Sequence, residues 1–432
     1  MFCIQLRAVC LLLALLLMMS ACAGSPATVP TTIAPTVAPA AAPTAATPPT
    51  AAPAPTAPPA ATEMPTSANA VLPAPLYVLD TGQIVRIERD GVTRKQITNE
   101  APPAPDALAI VQFDVSPVDG TLVYLVQGIG TPPVLVRTDA DGGNRATLLD
   151  SMPVAAPVIA PNGATMALRV FEDYERPGTY TPGLYLMPVA GGEPRLILAD
   201  KPATDPSIEG GDGRGFEAVA WSPDGTKLLV HAFSLSVELC ELAIVDVASG
   251  GIVYLAAPEP NLVAACTAAA WTLDSKAVYF SVANPGKGFN EPGIWRGDAM
   301  SGAATSVPIE PSDALLHMPF FAIDRLYAFV SSAPGENPVS SPAADPAELM
   351  ALSYTMSSVP LTGGAFAALR SDAHQLYQAL WASDGSGAVI FESSDPSAVR
   401  LLWLPTDGSP GVELYKGTDL YSVRWGKRSQ KH

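Results

Sequence analysis

The sequence is short of positive charge. Its 432 residues hold 24 Lys and Arg against 41 Asp and Glu, a formal net charge of −17. An acidic chain is repelled by nucleic acid and by an anionic membrane surface, which sets nucleic-acid binding aside. Histidine is sparse as well: His231, His317, His374 and His432 are scattered, with no His-x-x-x-His pair. No zinc site or other cofactor is expected from them. No Gly-x-Ser-x-Gly elbow and no phosphate-cradling glycine loop occurs, so the common hydrolase and nucleotide signatures are missing. Aromatic residues make up only 7% and charged residues 15%. Proline (45) and glycine (34) are abundant, a balance that suits strands and turns with a low-complexity segment better than helices.

Long apolar runs are also lacking. The longest, Ala8 to Met19, covers about 12 residues, whereas a spanning helix needs roughly 20. It follows Arg7, the one charge in residues 1–21, so its loss would bring the net charge to about −18. This is the shape of an export signal. It ends in Met19-Ser20-Ala21-Cys22, which resembles the lipobox of bacterial lipoproteins, with Met where Leu is usual. That resemblance implies cleavage before Cys22 and lipidation (palmitate included) of its thiol. It also implies a place on the outer side of a bacterial membrane, in the cell envelope. An ordinary secretory signal with an incidental cysteine is the alternative. More than one acyl chain is needed for lasting attachment, since each buried methylene contributes about 0.8 kcal/mol.

Residues 22–74 then supply almost nothing but Ala, Pro and Thr, with one charge, Glu63. Such a composition cannot bury enough apolar surface to offset chain entropy, so a disordered linker is expected. Dense proline favours extended polyproline II, and about 50 such residues span on the order of 150 Å at most.

From residue 75 to 427 a repeat takes over, leaving 428–432 as a tail. Its clearest copy is Trp221-Ser222-Pro223-Asp224-Gly225 followed by a β-rich strand. Weaker copies begin near Val115, Ile159, Trp271, Phe321 and Trp381, and Trp425 starts one that is cut short. The anchors fall 44 to 62 residues apart. In each unit an apolar residue ends one strand, a tight Asp-Gly type turn follows, and an apolar strand returns. A second hairpin with its own glycine turn completes four antiparallel strands, which is one blade of a β-propeller. Leu76–Thr98 lacks the first strand of a unit and the Trp425 segment supplies only that strand. Pairing the two ends would close the ring and remove both free edges. The expectation is an all-β propeller of seven blades, with six or eight left open by the degraded Phe321 copy.

The Trp-Ser-Pro-Asp-Gly repeat resembles the WD40-like propeller repeats of the TolB family. The family includes envelope proteins, and the repeat also occurs in propellers of prolyl-oligopeptidase-type peptidases. The resemblance implies fold far more than function. Trp221, Trp271, Trp381 and Trp425 are expected to pack between blades. Asp119, Asp224, Asp274 and Asp384 are expected to accept backbone hydrogen bonds in their turns rather than to form a catalytic ring. Cys3 and Cys10 leave with the signal, and Cys22 is the anchor. Cys240 and Cys266 remain as a candidate structural disulfide, with two free thiols as the alternative. The function expected is a membrane-anchored binding module, without chemistry of its own, for a protein, peptide or envelope glycan. A glycan lyase or hydrolase working at the central channel, and a purely structural envelope protein, are the alternatives.

Overall fold

Short runs of β-branched and aromatic residues, each ended by a Gly-centred turn, can bury their apolar faces only by stacking sheet on sheet. The structure is a computed structural model. It describes residues 70–427 except 105–106, 129–131, 174–175, 203–212, 235–239, 256–262, 284–292, 311–315, 323, 332–352, 396–397 and 418–419. The signal, Cys22 and most of the linker lie outside the described residues.

The described elements are all strands, and they form seven four-stranded antiparallel sheets arranged as a β-propeller. Blade one is composite: Leu420–Trp425 pairs with Leu76–Asp80, which pairs with Gln83–Ile87 and then Arg94–Gln96. Blades two to seven follow in chain order, with first, innermost strands Ile110–Val115, Val154–Ile159, Arg214–Trp221, Val263–Trp271, Leu316–Ala322 and Leu376–Trp381. The degraded Phe321 copy is therefore a full blade, and the count is seven.

The core is divided among the junctions. Seven clusters of buried side chains are found among the described residues, each drawing on two neighbouring blades. The closure between blades seven and one is among them, with Val389, Phe391, Trp403 and Leu414 against Leu76, Val78 and Ile87. The second strands contribute the largest fully buried rings, Tyr124, Phe280, Phe329 and Phe391.

Every innermost strand also slips register against its partner, through a β-bulge or, in blade five, a larger irregularity. A bulge sharpens twist and re-aims the side chains around it. In blades three and six the bulge holds Ala156 and Met318 at φ of +48°, a costly conformation for residues with a Cβ. Both are held by the adjoining blade: Ala156 N–H donates to Gln112 Oε1 at 2.8 Å, and Met318 C=O accepts from Trp381 Nε1 at 2.8 Å.

One further junction is reinforced through the backbone. Ile309–Glu310, beyond the outer strand of blade five, pairs in parallel with Gly364–Ala365 of blade six. Gly363 makes the approach feasible, because a Cβ there would stand 2.1 Å from Pro308 O.

Candidate functional site: the two ends of the ring

Antiparallel order places the first-to-second and third-to-outer strand turns of every blade at one end of the ring, here called the turn face. The second-to-third connections and the crossings to the next blade lie at the other end, the connection face.

The turn face is locally self-sufficient. In the clearest copy Asp224 Oδ1 accepts from the Ser222 hydroxyl at 2.6 Å, from Thr226 N–H at 3.0 Å and from the Thr226 hydroxyl at 2.8 Å. Gly225 closes the turn at φ of +70°. Partial burial raises the Asp224 carboxyl, but these donors outweigh it and hold it at about 2. Asp119, Asp274 and Asp384 accept comparable bonds two residues on. The repeated carboxylates thus serve their own turns and do not converge on a shared point.

The tryptophans join blades. Trp221 Nε1 donates to Val158 O at 2.9 Å, Trp271 to Ala220 O at 3.4 Å, Trp381 to Met318 O at 2.8 Å and Trp425 to Trp381 O at 2.8 Å. Each acceptor lies in the innermost strand of the preceding blade. Blades two and three have Val115 and Ile159 in place of the indole. Here a polar line replaces it: Arg424 Nε lies 3.5 Å from Asp114 Oδ1, and Ile159 N–H donates to Asp114 Oδ2 at 2.7 Å. Burial pushes the Asp114 carboxyl up, against the pull of Arg424 and the Ile159 amide. The other described charges on innermost strands are engaged as well: Arg214 meets Glu241 at 3.1 Å, and Glu217 has its own partner.

A line of ionisable side chains, which no sequence motif singles out as a unit, runs between blades six and seven. Arg370 donates to Asp372 at 2.8 and 2.9 Å, and Asp372 faces His374 Nε2 at 3.0 Å. His374 Nδ1 faces Glu392 at 3.1 Å, and Arg400 closes on Glu392 and lies 3.5 Å from Glu413. Arg370 beside it holds the Asp372 carboxyl well below the usual range. The signal was Arg370-x-Asp372-x-His374, which places three polar side chains on one side of an extended strand. Among the described residues no group of three or more His, Cys, Asp or Glu side chains is placed to hold a metal ion.

Cys240 opens the third strand of blade four, and Cys266 lies in the innermost strand of blade five. Their side chains lie outside the described ones, as do those of His317 and Tyr377.

The fold defines the class: a seven-bladed β-propeller. No protein-family model matches the sequence, and no curated protein sequence does. Solved structures are similar to it. The tricorn protease aligns with a TM-score of 0.54 at 10% identity, over 82% of this chain and 34% of that one. A prolyl endopeptidase aligns at 0.50 and 11%, over 83% and 51%. TolB from Acinetobacter baumannii aligns at 0.43 and 17%, over 80% and 79%. At such identities the likeness is one of fold.

Proposed function

We propose that the protein is a lipid-anchored envelope propeller whose connection face binds a partner, preferentially a protein or peptide with an envelope glycan as the further class, and which performs no chemistry of its own. The observation that carries this reading is the inequality of the two faces. On the turn face, Asp-centred turns satisfy their own backbone and the connections are short. On the connection face the second-to-third links differ widely from blade to blade, from Thr81-Gly82 in blade one and 396–397 in blade seven to residues 332–353 in blade six. Binding residues concentrate on variable loops held by a rigid scaffold. The engagement of Asp114, Arg424, Arg214 and Glu217 with near neighbours also favours binding over acid–base catalysis at the axis, where a free carboxylate pair would be needed.

Anchoring rests on the Met19–Cys22 segment. Replacement of Cys22→Ala is expected to release the protein or leave its precursor uncut, and unchanged membrane retention would refute the lipid assignment. Partner binding is tested by crosslinking on intact cells through the connection face. Enrichment of one specific protein supports it. Turnover of a polysaccharide with no captured partner would sink it.

A further inference from the structure

A groove of about 450 Å³ opens on the turn face between blades three and four. That volume lies within the roughly 300–1,000 Å³ of small-ligand sites. Its floor is apolar, with Trp221, Leu186 and Met187 all buried. Its rim carries Asn162, Glu193 and Arg195. Blade three is unusual here. Its first turn has Asn162 where the Trp221 copy has Asp224, and its second turn, Ala190-Gly191-Gly192-Glu193, has no aspartate. Glu193 is the one carboxylate in these two turns.

Glu193 and Arg195 are both exposed, and neither has a hydrogen-bond or ion-pair partner among the described residues. Glu193 ends the turn and Arg195 opens the outer strand Arg195–Ala199, and both line the groove. Two positions apart, their backbones stand at most about 7 Å from each other. Two extended residues of a peptide span about the same length. The geometry points to a zwitterionic dipeptide: its ammonium on Glu193, its carboxylate on Arg195 with the Asn162 amide beside it, and its side chains over the Trp221–Leu186–Met187 floor. This site is independent of the partner-binding reading, because it lies at the opposite end of the ring.

The test is titration of the purified full-length protein with Ala-Ala, and with the same dipeptide acetylated at one end and amidated at the other. Free Ala-Ala is expected to bind, with at least tenfold weaker binding of the capped form. Glu193→Gln and Arg195→Gln, both on exposed side chains, are expected to weaken binding of the free form at least tenfold without moving the thermal transition. Absence of Ala-Ala binding at millimolar concentration, equal binding of the capped form, or unchanged binding by both variants would overturn the assignment.

Discussion

A single indole does different work at different junctions. Trp381 is buried, its N–H bond to Met318 O is 2.8 Å, and it packs against Phe320, Tyr327 and Phe329 at centroid distances of 5.2 to 6.0 Å. Trp271 is half-buried and its bond is 3.4 Å. Trp381→Phe removes one donor and leaves the Met318 carbonyl unpaired, a loss of about 1–3 kcal/mol. Trp271→Phe should fall at or below the bottom of that range, and urea unfolding of the two variants compares them directly.

Asp114 behaves in the opposite way. Its ionised form is disfavoured by burial, and the 3.5 Å contact with Arg424 only partly offsets this. A carboxyl raised in the folded state adds stability that is full below its unfolded value, near 3.9, and is lost as pH rises through the folded value. That stability shrinks as pH rises above about 4. Asp114→Asn is therefore expected to equal or exceed the parent in stability at pH 7. The parent should gain on it as pH falls towards 4, and a constant gap between the two curves would contradict the assignment. None of this was legible in the sequence. Asp114 and Arg424 meet only because the ring closes, whereas the turn role of Asp224 could be read from its four neighbours.

At the scale of the element, hairpins were legible because turn chemistry and strand alternation are local. The register shifts of the innermost strands were not, since nothing in such short strands marks the point at which an extra residue is accommodated. The groove escaped because it joins residues far apart in the chain, Trp221 of blade four to Leu186, Met187 and the charged rim of blade three. Cys240 and Cys266 belong to adjacent blades, and a bond between them would close a loop of about 26 residues, with a stabilisation of roughly 3 kcal/mol. Purified under oxidising conditions, the chain from residue 70 on is expected to show no free thiol without reduction, and the double Ser variant should unfold correspondingly earlier. Two titratable thiols in the native chain would exclude the bridge.

For the whole molecule, closure is the decisive event. The strand Leu420–Trp425 completes blade one, donates Trp425 Nε1 to blade seven and presents Arg424 to blade two. Truncation after Gly417 would remove all three ties and expose the edge of Leu76–Asp80 to other chains. The loss should take a large share of a total that is about 5–15 kcal/mol for a domain. The truncated protein is expected to unfold in a broadened, less cooperative transition and to aggregate, as read by calorimetry and light scattering. Closure could be foreseen because an incomplete unit stands at each end of the repeat.

The same closure determines how the molecule bears tension. The chain enters at the turn face, where Val71 and Leu72 donate to Arg89 O and Gly426 donates to Pro75 O. It then runs into Leu76–Asp80, a strand with five register pairs to one neighbour and five to the other. A pull on Leu76 along the strand axis loads both rows of bonds in shear, so they must yield together. Had the entering strand lain at the open rim of a blade, the same pull would have peeled it one bond at a time.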